Sequence, residues 1–228
     1  MSEQNLLQIL NFEDSIQSSQ FNFKDAVKVL TNFDVWDFNP QNDPFDFRVY
    51  DFLVYIGTKA VIRFNETKLP ATKSANAVGI YAEEVISDLF TENNVLIQSP
   101  KTVEGKNKPS GYPDFEFFFP TPEGDSGQWI YLESKSFNTT QKESTFRTFY
   151  FSPSRDYKVA RDSKHLLLGL EYSIEEDENG VNYYIAKDFH ILSLEHLQVK
   201  AKIEFNASNS AMYNENNVID LWHTQQEQ

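Results

Sequence analysis

The chain has no cysteine among its 228 residues. This excludes disulfides, thiolate nucleophiles and Cys-ligated zinc, and so removes several catalytic classes at once. No apolar run approaches the roughly 20 residues that a membrane helix needs. The N-terminal MSEQNLLQIL has neither the basic segment nor the long apolar stretch of a secretory signal. These absences lead to the expectation of a soluble, cytoplasmic protein with no membrane partner. Histidine is scarce as well: His165, His190, His196 and His223 show no metal-ligand spacing and read as structural. There is no internal repeat, heptad array or Gly/Ser linker. Length and a 40% hydrophobic, 15% aromatic composition favour one ordered domain spanning residues 1–228.

Positive charge is also in short supply. Lys and Arg number 20 against 34 Asp and Glu, a net charge of −14, which at first argues against a nucleic-acid partner. The distribution is uneven. Residues 1–57 sum to −6 and residues 171–228 to −8, whereas 58–73 sum to +3, 101–112 to +2 and 135–170 to +4. The acidity lies mainly at the two ends and the basic residues lie mid-chain. Scattered solvated charge and a basic groove would both give this pattern.

Several elements can be read directly. FKDAVKVL, Phe23 to Leu30, reads as a short helix, and NFDVWDFNPQNDPFDF as an aromatic, acidic, turn-rich loop. FRVYDFLVYIGTKAVIRF is apolar throughout, so helix and strand are not separable there by period. SANAVGIYAEEVISDLF, Ser74 to Phe90, places Val78, Tyr81, Ala82, Val85, Ile86, Leu89 and Phe90 at helical spacing behind a cap-type serine. NVLIQSP, PDFEFFFP and WIYLESKSF then read as three strands, the last two joined by the Pro/Gly-rich reversal TPEGDSGQ. SPSRDYKVARDS, with Ser152 as a cap and Pro153 at the first helical position, predicts a short basic helix. HLLLGLEYSI has the continuous apolar character of a strand buried on both faces. GVNYYIA and QVKAKIEF read as further strands, with DFHILSLEHL ambiguous between them.

The chemistry-bearing residues lie in the two central strands. Successive side chains of a strand point to opposite faces, so Trp129, Tyr131, Glu133 and Lys135 share one face while Ile130, Leu132 and Ser134 take the other. Asp114 and Glu116 share a face of the preceding strand. If the two strands pair through the reversal, Asp114, Glu133 and Lys135 converge near one end of the sheet. Two carboxylates beside an ammonium suit a hard cation that prefers oxygen ligands and bridges to phosphate. The plainer alternative is that Asp114 caps a turn and that Glu133 and Lys135 form a charge pair on a solvated face. Glu116 reads as an accessory or surface acid.

This arrangement resembles the PD-(D/E)XK nuclease superfamily, the restriction-endonuclease-like fold. Its motif reads here as Pro113-Asp114 and then Glu133-Ser134-Lys135, nineteen residues from acid to acid. The element order resembles it too: helix, three strands, helix and strand between Ser74 and Ile174. The resemblance implies an α/β fold with a mixed central sheet flanked by helices and a catalytic core at about 74–174. Segments 1–73 and 175–228 would be elaborations for DNA binding or dimerisation. It further implies that Asp114 and Glu133 hold Mg²⁺, with the Ser134 carbonyl as a further ligand. Lys135 would position, or help to deprotonate, the attacking water. The first helix of such proteins often adds an acid near the metal, here Glu83 or Glu84, with Glu83 favoured by its G-x-x-A-E setting.

Chain length and a single core resemble the type II restriction endonucleases most closely. These are typically homodimers that cut double-stranded DNA to 5′-phosphate and 3′-hydroxyl ends. Candidates for reading or contacting DNA are Asn138, Gln141, Lys142, Arg147 and Arg155 directly after the catalytic strand, with Asn206 and Asn209 as a second set. For each, a phosphate contact or a local backbone contact is the plain alternative. Two other functions remain open: another nuclease on the same core (junction resolvase, repair nicking enzyme or exonuclease), or a non-catalytic acidic DNA mimic or antidote, which would not need Lys135.

Overall fold

A computed structural model describes residues 20–109, 111–122, 124, 126–141 and 156–200. Within these, Phe21–Val199 forms one compact unit. The chain enters as β1 (Phe21–Asn22) and α1 (Phe23–Thr31), then α2 (Pro44–Thr67) and α3 (Ala75–Glu92). The strands β2 (Ile97–Gln98), β3 (Phe115–Pro120), β4 (Gly127–Asn138), β5 (Lys164–Glu176), β6 (Asn182–Ser193) and β7 (Gln198–Val199) follow.

The helices start and stop for local reasons. Asp43 accepts hydrogen bonds from the N–H groups of Phe45 and Asp46, and Pro44 opens the first turn, so α2 is well capped. Val49, Leu53, Ile56, Ala60 and Phe64 recur at helical spacing and are buried, which resolves the ambiguous apolar segment as helix. In α3 the buried set is Val78, Ala82, Val85, Ile86, Leu89 and Phe90, the stripe expected from the spacing apart from Tyr81, which is half-buried. The helix expected over Phe23 to Leu30 is α1, with Phe23, Val27 and Thr31 on its buried side.

The main sheet has the order β2-β3-β4-β5-β6, with β4 and β5 parallel and all other pairs antiparallel. A second, two-stranded ribbon pairs β1 with β7. The principal core lies between α2, α3 and one face of the sheet, where Phe117, Phe119, Ile130, Leu132, Leu166 and Leu168 meet the two helices. On the opposite face Tyr131 packs with Phe23 and Val27 of α1 and with Tyr112, Val159 and Leu194. The alternation along β4 is therefore the expected one. Asn182–Ser193 forms one long strand, β6, which joins most of GVNYYIA to the first part of DFHILSLEHL rather than leaving a strand and an ambiguous stretch. Of QVKAKIEF, Gln198–Val199 is strand and residues 201–205 lie outside the described residues. The outcome is the mixed α/β sheet flanked by helices that the sequence implied. No helix among the described residues is long and apolar enough to cross a membrane.

One element departs from expectation. The basic helix anticipated from Ser152 is not present in the described part of that segment: residues 156–163 run irregularly into β5. Its backbone groups are used sideways instead of along a helix. The Tyr157 carbonyl accepts from Val103 N–H, the Ala160 N–H donates to the Tyr131 hydroxyl, and the Ser163 N–H donates to the Asp34 carbonyl. Arg161 lies over the Trp129 ring, with its guanidinium carbon 4.9 Å from the centroid, and pairs with Glu116 at 3.2 Å. Propensity for a short helix loses here to contacts with the sheet and neighbouring loops.

Candidate active site

Register explains why the site forms where it does. β3 pairs with β4 from Pro120↔Gly127 to Phe115↔Leu132 and then stops. Extending the ladder by two places would put Pro113 opposite Ser134. Proline has no N–H to give, so the Ser134 carbonyl has no strand partner on that side. The freed groups turn to side chains. Ser134 N–H donates to Asp114 Oδ2 at 3.0 Å, and the Ser134 carbonyl accepts from Lys135 Nζ at 3.0 Å. Asp114 N–H donates to Glu133 Oε2 at 3.1 Å. The proline of the motif thus ends one strand pairing and leaves an oxygen available to a cation.

Lys135 Nζ lies 2.6 Å from Glu133 Oε1 and 3.5 Å from Asp114 Oδ2. The three residues therefore converge. Glu133 and Lys135 do pair, but not on a solvated face: the Glu133 side chain is only 4% exposed. Burial, together with repulsion from Asp114, pushes the Glu133 carboxyl up to about 7. Burial opposes charge on Lys135 as well, but the carboxylates of Glu133 and Asp114 outweigh it and raise its pKa.

The sequence left Glu83 and Glu84 open, and the helix geometry separates them. Glu84 is exposed, whereas Glu83 is partly buried. Burial and the nearby Asp114 charge raise the Glu83 pKa, with Lys135 and Lys158 pulling the other way. Gly79, one turn earlier, faces β4: a Cβ there would lie 3.7 Å from Ser136 Oγ. The Gly79–Glu83 edge of α3 is thus the edge turned toward β4, a placement that Gly79 signals in the sequence.

The donors suit a divalent ion. Glu133 Oε1, Asp114 Oδ2 and the Ser134 carbonyl are all oxygen and already surround one cation, the Lys135 ammonium. Among the described residues no group of three or more His, Asp or Glu side chains is placed to hold a metal. Any ion here would rest on two carboxylates and the carbonyl, with water completing the shell, which is a common arrangement for Mg²⁺.

Of the DNA-contact candidates, Asn138 is at the end of β4, where its Oδ1 accepts from Thr140 N–H and Thr140 Oγ1 at 2.9 and 2.8 Å. That is the local backbone role weighed against base reading. Gln141 ends the 3-10 turn Thr139–Gln141, and its side chain, like Lys142, Arg147, Arg155, Asn206 and Asn209, lies outside the described residues. Glu116 is buried, accepting from Gln98 Nε2 at 2.7 Å and pairing with Arg161, so it is an internal ion-pair residue rather than a surface acid. Of the histidines, His165 is buried against Tyr112, whose hydroxyl lies 2.6 Å from its Nδ1, and burial holds its pKa down to about 3. A residue that sequence reasoning missed is Lys158. It is 4% exposed, and its ammonium donates to the Gly111 and Pro113 carbonyls at 2.9 and 3.1 Å. Nothing in its basic stretch marks it apart from Arg155 or Arg161.

A family model of type II restriction enzymes, the MjaV family, matches residues 16–216. The curated type II restriction enzyme MjaV of Methanocaldococcus jannaschii is 37% identical over 161 residues. That match covers 69% of this chain and 66% of the relative, just under two thirds of its length. Among solved structures, a tetrameric restriction endonuclease SfiI bound to cognate DNA is similar with a TM-score of 0.35 and 15% identity, over 71% of this chain and 70% of that one.

Proposed function

This chain belongs to the type II restriction enzyme MjaV family, and from that premise we propose that it is a Mg²⁺-dependent, site-specific endonuclease of double-stranded DNA. It hydrolyses phosphodiesters to 5′-phosphate and 3′-hydroxyl ends and acts as a homodimer on a site of matching symmetry. The observation that carries this reading is the set of oxygens around Lys135 Nζ: Glu133 Oε1, Asp114 Oδ2 and the Ser134 carbonyl, at 2.6, 3.5 and 3.0 Å. These are donors for a hard divalent ion, with a lysine already in place beside them.

Asp114 and Glu133 would hold the ion, with the Ser134 carbonyl as a third donor. When bound, the ion supplies charge neutralisation at the phosphoryl oxygens and a lowered pKa for the attacking water. Lys135 moves from these oxygens toward the scissile phosphate, orients the water and offsets the negative charge that builds on phosphorus. Glu83, on the α3 edge facing β4, adds negative charge close to Asp114. Asp114 accepts from the Ser134 N–H, which holds that residue's backbone so that its carbonyl would be available to the ion. The overall acidity does not oppose DNA binding at this point, because the site's carboxylates are offset by the ion and by Lys135 and Lys158. Asn138, Gln141, Lys142, Arg147, Arg155, Asn206 and Asn209 remain the candidates for contacting DNA.

The test is digestion of long DNA with Mg²⁺ and with EDTA, followed by sequencing of the fragment ends. Discrete fragments that appear only with the divalent ion, sharing one sequence at their 5′-phosphorylated ends, are the expected result. Cleavage at branched structures only, or stepwise loss from DNA ends, would reassign the core to a resolvase or an exonuclease. Absence of cleavage with any divalent ion would refute the reading.

A further inference from the structure

A strand ladder between Pro113 and Ser134 would need Ser134 N–H to donate to the Pro113 carbonyl. It does not: the Pro113 carbonyl accepts from Lys158 Nζ at 3.1 Å, and the same ammonium donates to the Gly111 carbonyl at 2.9 Å. Ser134 N–H is left to Asp114 Oδ2 instead. The same peptide unit that gives its C=O to Lys158 gives its N–H, that of Asp114, to Glu133 Oε2 at 3.1 Å. One ammonium therefore pins the peptide between Pro113 and Asp114 from one end while Glu133 grips the other. Hydrogen bonds in such a chain polarise one another, so the Lys158 charge strengthens the N–H donation to the Glu133 carboxylate. Gly111, at φ +90°, supplies the left-handed turn that brings the two carbonyls to one donor. A lysine that is 4% exposed is costly to bury and is normally held by partners. Here its partners are backbone atoms of the motif loop.

We propose that Lys158 is a positioning residue: by holding the Gly111 and Pro113 carbonyls it keeps Ser134 N–H on Asp114 and Asp114 N–H on Glu133, and so sets the two carboxylates in register. The inference rests on the nuclease reading of the site. It places Lys158 in the machinery without any contact to DNA or to the reacting atoms. Without this lysine, the Pro113 carbonyl is free to take Ser134 N–H, Asp114 loses its anchor, and the carboxylates drift from the geometry that the chemistry needs.

The experiment compares wild type, Lys158→Met, Lys158→Gln and Lys158→Arg on DNA carrying the cleavage site mapped for the wild type. Two quantities are read: the single-turnover cleavage rate at saturating DNA and Mg²⁺, and DNA affinity measured with Ca²⁺ in place of Mg²⁺. Misplacement of catalytic groups by about 1 Å costs on the order of 100-fold in rate, and a loss of that size is expected for Lys158→Met, with DNA affinity within about threefold of wild type. Lys158→Gln, which reaches one carbonyl, and Lys158→Arg, which reaches both at altered geometry, should recover part of the rate. This graded rescue would not accompany a purely structural loss. If Lys158→Met fails to fold, the ordering of the Gln and Arg variants below wild type in rate, at retained affinity, carries the test. Wild-type rates in folded variants would overturn the inference, as would a loss confined to DNA affinity, which would make Lys158 a phosphate contact. Failure of the wild type to cleave is a separate result, and it refutes the nuclease reading itself.

Discussion

Replacing Glu133 by Gln should stabilise the metal-free protein at pH 8 while abolishing its function. The Glu133 side chain is 4% exposed, and its carboxyl is raised from 4.5 to about 7, first by burial and then by Asp114. An acid whose folded-state pKa is raised contributes its full stability below its unfolded value and loses it as pH rises through the folded value. The stabilisation is therefore complete below about pH 4.5 and gone above about pH 7. At about 1.4 kcal/mol per tenfold, the ionised carboxylate costs the folded state roughly 3 kcal/mol at pH 8. The attraction of Lys135 is already contained in that figure, since it acts to lower the same pKa. Glutamine stays neutral and keeps an oxygen for the Asp114 N–H, but its amide turns donors toward Lys135, which trims the gain to about 2 kcal/mol. The assay is urea unfolding of both proteins in EDTA at pH 5 and pH 8, comparing midpoints at equal slope. The expected difference is small at pH 5 and about 2 kcal/mol in favour of the variant at pH 8. A variant that is less stable at pH 8, or equally shifted at both pH values, would refute the electrostatic account of the site.

With Mg²⁺ at pH 8, thermal unfolding of the wild type should rise with metal concentration, because an ion that binds only the folded state stabilises it by mass action; Glu133→Gln should show little rise. Lys135→Ala should bind Ca²⁺ at least as tightly as wild type, read by calorimetry, because the ammonium that shares the three oxygens is gone, yet its cleavage rate should fall by about 1000-fold or more, roughly 4 kcal/mol of barrier. Weaker Ca²⁺ binding in that variant would argue against shared donors. Glu116→Ala leaves Arg161 and Gln98 without their buried acceptor and should cost about 2 to 3 kcal/mol by urea unfolding, with the single-turnover rate retained. Gly57→Ala drives a methyl group into the Phe189 ring across the α2–β6 contact and should cost about 1 to 3 kcal/mol by the same assay.

Much of this was legible before the structure because two periodicities carry it. The 3.6-residue stripe from Val78 to Phe90 gave α3, and the period of two along WIYLESKSF put Glu133 and Lys135 on one face, with Ile130 and Leu132 on the other. The convergence on Asp114 followed once β3 and β4 paired through the Pro/Gly-rich reversal. α2 resisted reading because its apolar residues surround it: Val49, Leu53 and Ile56 are buried, while Phe47, Tyr50 and Tyr55 are exposed, so no stripe stands out. Residues 156–163 depart from the helix their composition predicts because helix propensity is local, whereas Tyr157, Ala160 and Ser163 make their backbone contacts with residues distant in sequence. Lys158 was invisible for the same reason. Which of several basic residues folds inward depends on how the fold presents the Gly111 and Pro113 carbonyls, about 45 residues away in sequence. The role of Pro113 becomes plain only with the register in hand. The sequence leaves Glu116 as an accessory or surface acid, because alternation assigns a face but does not say that Arg161 and Gln98 cover it.

The most direct test of the central claim, that Asp114, Glu133 and Lys135 form one metal-dependent hydrolytic site, is the cleavage rate of Asp114→Asn beside wild type on the same DNA. The substitution preserves the side-chain shape and an oxygen for the Ser134 N–H, so the fold and DNA affinity should survive. The account predicts discrete Mg²⁺-dependent fragments from the wild type and a rate at least about 1000-fold lower from the variant, as losing a charged ligand of the ion requires. Cleavage by Asp114→Asn at the wild-type rate, at the same Mg²⁺ concentration, would contradict it.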